Sequence, residues 1–93
     1  RKIGKVGGKI ERRGTMELDI RGCACDDGIY QLDSFLDSAV MSNISTVTII
    51  HGKGTGLLRK AVHKRLKEHP SVKSFRLGVY GEGEDGVTIV ELK

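Results

Sequence analysis

Long hydrophobic runs are missing from this 93-residue chain, whose apolar stretches extend over only a few residues each. No membrane-spanning helix or signal-peptide core fits into such stretches. Cysteine is scarce, with only Cys23 and Cys25, one residue apart. Two cysteines cannot build a disulfide framework, so a reducing, cytoplasmic setting is expected. The pair also lacks a partner Cys/His pair at zinc-binding spacing, so both read as thiols near a strand end rather than as a metal site. Proline occurs once, at Pro70, where it ends a helix. Apolar residues at 38% and charged residues at 30% describe a folded domain rather than a disordered chain. The length holds one modest core and excludes two. The chain begins at Arg1 rather than at methionine, as expected of a piece of a longer protein.

Charge is unevenly spread. Residues 1–14 carry Arg1, Lys2, Lys5, Lys9, Arg12 and Arg13 against Glu11, a net of +5, whereas the other 79 residues sum to −1. A basic, glycine-punctuated arm (1–15) thus precedes a nearly neutral domain (16–93). Such an arm is either a solvated linker, with room for a short strand, or a segment that lies along an anionic polymer.

The domain alternates strand and helix patterns. MELDI (16–20) places Met16, Leu18 and Ile20 on one face and Glu17 and Asp19 on the other, a half-buried strand. In 25–43, Ile29, Leu32, Phe35, Leu36, Ala39 and Val40 make a helical stripe, with Asp26 or Asp27 as cap, Asn43 as stop, and an exposed acidic face. STVTII (45–50) is a buried strand. LLRKAVHKRLKEH (57–69) is a second helix with Leu58, Ala61, Val62 and Leu66 inward and five bases outward. VKSFRLGVY (72–80), interrupted near Lys73–Ser74, and VTIVEL (87–92) form a hairpin across GEGEDG (81–86). The order β-α-β-α-β-β predicts an α/β two-layer sandwich, two helices over a four-stranded mixed sheet.

HGKGTG (51–56) is the segment that points to chemistry. It is not a Walker A loop, because Lys53 stands between Gly52 and Gly54 instead of before a helix hydroxyl. It is not the dinucleotide fingerprint, because Leu57 occupies the third glycine position. GEGEDG matches that fingerprint literally but joins two strands, and its acids would repel a pyrophosphate, so it reads as turn chemistry. What remains is a strand that ends in glycines and a helix whose N-terminal amides face an anion, reinforced by Lys53. The expected phosphate grip comprises Gly52, Gly54, Thr55 and Gly56 with Arg59, Lys60, Lys64 and Arg65 of the following helix. A basic stripe of that length suits a polyanion better than a mononucleotide.

Asp19 and Arg21 end the first strand and His51 ends its expected parallel neighbour. One edge would then gather a carboxylate, an imidazole and two cations, Asp19, His51, Arg21 and Lys53, a set suited to phosphodiester cleavage. The plain alternatives are a surface Asp19–Arg21 ion pair and a hydrogen-bonded structural His51. His63 and His69 read as surface residues. A divalent cation, magnesium or manganese, is a candidate cofactor, with Asp19, Glu91 and the loop acids as candidate ligands.

LDIRG (18–22), IIHGKGTGLLR (49–59), HPSVKSF (69–75) and GEGEDGVTIVEL (81–92) together resemble the Smr (small MutS-related) domain. The resemblance is to the version at the C-terminus of the MutS-type proteins that suppress recombination in bacteria, and it covers residues 16–93. The family's L-D-x-R-G motif falls on Leu18 to Gly22 and its H-G-x-G motif on His51 to Gly54. The resemblance implies a fold like the C-terminal domain of translation initiation factor three, nucleic-acid binding and, in many members, nicking endonuclease activity on DNA or RNA. It also implies a MutS-like ATPase core in the same full-length chain. Two departures stand out: GEGEDG replaces a more glycine-rich turn, and CACDDG brings cysteines and Gly28 to the start of the first helix. The expected function is a nicking endonuclease domain. The competing readings are a non-catalytic module that binds nucleic acid or the ribosome beside a partner ATPase, and a small-anion or nucleotide sensor.

Overall fold

The computed structural model describes residues 9–10, 15–79, 81 and 84–93. The charged residues Arg1, Lys2, Lys5, Glu11, Arg12 and Arg13 of the basic arm lie outside the described residues, as do Tyr80, Glu82 and Gly83 of the hairpin. The elements run β1 (Lys9–Ile10), β2 (Thr15–Asp19), α1 (Cys25–Met41), β3 (Thr46–Ile50), α2 (Leu57–Glu68), β4 (Val72–Leu77), a single 3-10 turn (Glu84–Gly86) and β5 (Val87–Leu92). The sheet order is β1-β2-β3-β5-β4. β2 and β3 are parallel, while β5 inserts antiparallel between β3 and β4. The four-stranded mixed sheet under two helices is therefore present, and the two-residue β1 extends it antiparallel at the β2 edge.

Alternation sets the faces. Met16, Leu18, Ile20, Val47, Ile49, Val90 and Leu92 are buried under the helices and pack against Leu32, Phe35, Leu36, Ala39, Val62 and Leu66. Side chains one position along each strand point to the opposite, uncovered face. The break expected near Lys73–Ser74 is a register irregularity between Val72 and Ser74. β4 stops at Gly78, where a Cβ would stand 2.6 Å from Val87 Cγ2 and 3.0 Å from the Glu84 carbonyl oxygen.

The α1 boundaries differ at one end. The helix starts at Cys25 with Ala24 at the cap position and no side-chain cap, so Asp26 and Asp27 sit in the first turn and act through the helix dipole instead. Asn43 does end it. Its φ is 59°, its N–H donates to the Val40 carbonyl at 3.1 Å, and Ile44 N–H donates to the Ala39 carbonyl at 2.9 Å. This paired closure satisfies carbonyls that a helix end would otherwise leave open.

Candidate nucleic-acid interface

The HGKGTG loop leaves β3 and is fastened to the hairpin turn. His51 N–H and Gly52 N–H both donate to the Gly86 carbonyl, at 3.1 and 2.8 Å. Gly52, Gly54 and Gly56 all have positive φ, 80°, 36° and 87°, so the path requires glycine-type backbone three times in five residues. Gly52 also admits Arg21: a Cβ there would lie 3.2 Å from Arg21 Cγ. Gly56 caps α2, and the Thr55 hydroxyl accepts from Leu57 N–H at 3.3 Å. The next amides of the first turn have no partner within the helix and face outward from its positive end.

A cleft lies on each side of this loop. One, of about 160 Å³, is lined by Gly22, Cys23, His51, Thr55, Gly56 and Arg59 among others. The second, of about 340 Å³, is lined by Arg21, Ile50, Gly52, Lys53, Gly86 and Val87. Gly52 and Lys53 border both.

Asp19 and Arg21 form a compact unit at the tip of β2. Arg21 Nε donates to Asp19 Oδ1 at 3.0 Å, Arg21 Nη2 donates to Oδ2 at 2.6 Å, and the Arg21 backbone N–H also reaches Oδ1, at 3.0 Å. The guanidinium hydrogen bond holds the Asp19 carboxyl below its usual range, with smaller contributions from the backbone N–H and the Arg21 charge. An ionised carboxylate offers about four acceptor positions. Three are occupied, all by Arg21, which leaves one on Oδ2 for a solvent or substrate hydroxyl.

His51 sits differently. It continues the inward alternation of Val47 and Ile49 and is only 5% exposed, whereas Asp19 points to the uncovered face. The two side chains therefore leave their strands on opposite sides, although their strand tips are neighbours through the Asp19–Ile50 pairing. His51 Nδ1 lies 2.9 Å from the Gly52 carbonyl, and its Nε2 lies 2.8 Å from the Thr88 hydroxyl. Both ring nitrogens are bonded inside the protein, so in this arrangement neither is open to a scissile phosphate. The bond to its own loop's carbonyl makes the ring a brace for the glycine turn.

The other two histidines are not the surface residues expected from the sequence. His63 is half-buried, its Nε2 lies 2.7 Å from the same Thr88 hydroxyl, and its ring lies edge-on to His51 at 6.1 Å and 5.0 Å from Phe75. His69 is buried and accepts from Ser71 N–H at 3.1 Å, closing the turn around Pro70. Thr88, which bonds both rings, was not among the residues expected at the site. The available signal was its inward parity with Val90 and Leu92, since a hydroxyl buried in a strand must find a partner.

Burial pushes both imidazoles below their ordinary value of 6.5. For His51 the Gly52 carbonyl opposes this, Arg59 adds to it and Asp85 opposes it. For His63, the neighbouring His51, Arg59 and Lys67 all reinforce it. An unfolded chain takes up these protons near 6.5 and the folded chain refuses them, so this stability is whole above 6.5 and is lost as pH falls through the depressed values. The thermal midpoint, scanned from about pH 7.5 to about pH 5, is expected to fall on the acid side. A flat profile would mean that the two rings titrate alike folded and unfolded.

Cations around the loop are partly engaged. Lys53 Nζ lies 3.6 Å from both Glu84 and Asp85, and Arg59 lies 3.9 Å from Asp85. Arg65, expected on the nucleic-acid face, instead bonds Asp33 of α1 at 2.8 Å and straps the helices together. Lys60 and Lys64 are exposed and make no ion pair among the described residues. Among the described residues the expected cation ligands do not converge. Asp19 pairs with Ile50 and Glu91 with Thr46, so they stand at opposite ends of β3, about 13 Å apart along the strand. Among the described residues no three His, Cys, Asp or Glu side chains gather as a ligand set. The acids of the turn compete with phosphate for Lys53 and Arg59. Exposed pairs are worth roughly 0.2–1 kcal/mol per cation, so Glu84→Gln with Asp85→Asn, which frees both Lys53 and Arg59, should tighten nucleic-acid binding by about 2- to 30-fold in a fluorescence titration. Unchanged or weaker binding would place the phosphate away from Lys53.

Fold and loop together define a two-layer α/β domain that presents a glycine-built helix N-terminus beside an arginine-clamped carboxylate. The chain belongs to the Smr domain family, whose match covers residues 18–93. It is 59% identical over 76 residues to the endonuclease MutS2 of Clostridium beijerinckii, covering 82% of this chain and 10% of that protein. It is 52% identical over 91 residues to the endonuclease MutS2 of Acetivibrio thermocellus, covering 98% of this chain and 12% of that one. The chain thus spans about a tenth of the length of these curated relatives. Among solved structures, the Smr domain of Thermus thermophilus MutS2 superposes with a TM-score of 0.82 at 39% identity, covering 83% of this chain and 96% of that one. The Escherichia coli stand-alone small MutS-related protein YdaL shares the fold at a TM-score of 0.80 and 23% identity, over 91% of this chain and 68% of that one. Among the described residues no helix is long and apolar enough to cross a membrane.

Proposed function

We propose that this domain is a nucleic-acid-binding nicking endonuclease that hydrolyses phosphodiester bonds in DNA, branched DNA included, or in RNA, as part of a larger MutS-like ATPase. The observation that carries this reading is Arg21, which lies against Gly52, lines a cleft together with Lys53, and is bonded on its other side to the Asp19 carboxylate. The outward amides of α2, with Lys53, Arg59, Lys60 and Lys64, hold the backbone phosphates. Arg21 and Lys53 stabilise negative charge that develops on the scissile phosphate. Asp19, ionised at neutral pH, uses its remaining acceptor position to take a proton from the attacking water as its oxygen bonds phosphorus; the P–O bond to one sugar oxygen breaks, and that oxygen takes a proton from solvent. His51 acts as a positioning residue for the loop and transfers no proton itself. Among the described residues no carboxylate or histidine set gathers to hold magnesium or manganese.

The name carried by the relatives, endonuclease MutS2, supports the same reading. One observation favours the competing, non-catalytic module: both nitrogens of His51 are occupied, so the imidazole is not poised for chemistry. The deciding assay incubates this chain with single-stranded, duplex and branched DNA and with RNA, with magnesium or manganese and with chelator. Nicked product at wild-type Asp19 supports the nuclease. Binding without cleavage under every condition favours a module that positions a partner ATPase on nucleic acid or the ribosome. Tight, salt-insensitive binding of a mononucleotide would favour the small-anion sensor.

A further inference from the structure

Three polar side chains from three elements meet beneath the loop: His51 after β3, His63 on α2 and Thr88 on β5. Their hydrogens are fixed by elimination. A carbonyl oxygen only accepts, so His51 Nδ1 carries a proton and donates to Gly52. In the neutral ring Nε2 is then an acceptor, and the Thr88 hydroxyl must spend its single hydrogen on it. Thr88 Oγ1 is left with lone pairs only, so His63 Nε2 is protonated and donates to it. The chain of bonds therefore has one direction, from His63 through Thr88 and His51 to the Gly52 carbonyl. Thr88 is fully buried, so water does not stand in for its hydroxyl.

We infer that Thr88 and His63 are positioning residues for the nucleic-acid site, acting through His51 to hold the glycine loop in its phosphate-binding shape. The Gly52 carbonyl is the point of delivery. Its residue has a φ of 80°, carries Arg21 against it and borders both clefts. A flipped or rotated His51 ring would release that carbonyl and the peptide that leads to Lys53. The effect on nucleic acid rests on the function proposed above, whereas the bond direction does not.

The experiment compares wild type with Thr88→Val, Thr88→Ser and His63→Phe, with folding verified by amide NMR spectra. Imidazole nitrogen NMR reads the tautomers, and fluorescence titration with a single-stranded DNA and an RNA oligonucleotide reads the site. The expected wild-type result is a protonated Nδ1 on His51 and a protonated Nε2 on His63. Thr88→Val keeps the side-chain shape without the hydroxyl, and should mix the His51 tautomers and weaken binding several-fold. Thr88→Ser should restore both. If the wild-type tautomers are the reverse, or Thr88→Val leaves the His51 nitrogens unchanged, the inference falls. It also falls if the tautomers mix while affinity stays at the wild-type level. If wild type binds neither oligonucleotide, the phosphate reading fails by itself, and the loop's amide shifts then decide whether Thr88 positions it: movement at Gly52 and Lys53 in Thr88→Val, reversed in Thr88→Ser, upholds the inference, and its absence ends it. His63→Phe guards against a folding defect at position 88: the new ring still packs against Phe75, while loss of the bond that orients the Thr88 hydroxyl should mix the His51 tautomers.

Discussion

Asp19→Asn is expected to lower nicking by about 10²- to 10⁴-fold while leaving nucleic-acid affinity unchanged or slightly higher. The size of the loss follows from removing the proton acceptor. The direction of the affinity change follows from geometry. Asp19 neutralises Arg21 in a pair whose side chains are 41% and 62% exposed, so an amide in its place releases a cation toward the phosphate instead of removing one. Arg21→Lys provides the complementary test. A lysine keeps the charge but loses the fork that grips both carboxylate oxygens, so cleavage should drop with binding retained. Retention of the wild-type cleavage rate in Asp19→Asn would move the acceptor elsewhere and end the role proposed for this carboxylate. A loss of binding parallel to the loss of cleavage would make the unit a structural clasp.

Affinity should also collapse as salt rises. Four phosphate contacts, by Lys53, Arg59, Lys60 and Lys64, predict a log–log slope of about −2.8 to −3.6, the smaller figure for single strands. Between about 50 and 200 mM salt, binding then weakens about 50- to 150-fold. Replacing Lys60 and Lys64 together with alanine should reduce the slope by about 1.4 to 1.8. Arg65→Ala is the informative control: its guanidinium is committed to Asp33, so it should leave the slope alone and act on the packing of the two helices. A slope near zero in the wild-type chain would exclude a backbone grip and leave a small anion as the ligand.

Much of this architecture was legible in local patterns. The alternation of Met16, Leu18 and Ile20, the helical stripe through Phe35 and the αL stop at Asn43 each depend on neighbours a few residues away. The glycine loop was legible for the same reason. The separation of Asp19 from His51 was also present in the residues, since Leu18 and Ile20 share a face, as do Val47, Ile49 and His51. Adjacency of the two strand tips does not override that parity. What local patterns do not contain is the insertion of β5 between β3 and β4, which brings Thr88 beside Ile49 and beneath two imidazoles. His63 flanks the inward stripe of α2 at Val62 and Leu66, a border position whose burial is decided by the strand that packs below it. Arg65 likewise looked solvent-facing until α1 supplied Asp33.

The two helices lie side by side on one face of the sheet, one carrying acids outward and the other bases. The domain is therefore an electric dipole as well as a charged body. On the proposed function, a nucleic acid attracted to α2 would be pushed away from α1, so the molecule would be turned in the field of the polyanion before contact. Productive collisions are selected by rotation and not only by distance. If the domain is the nuclease proposed above, a single orientation of approach would bring the Asp19–Arg21 tip to one strand of a duplex at a time, the geometric condition for a nick as opposed to a double-strand break.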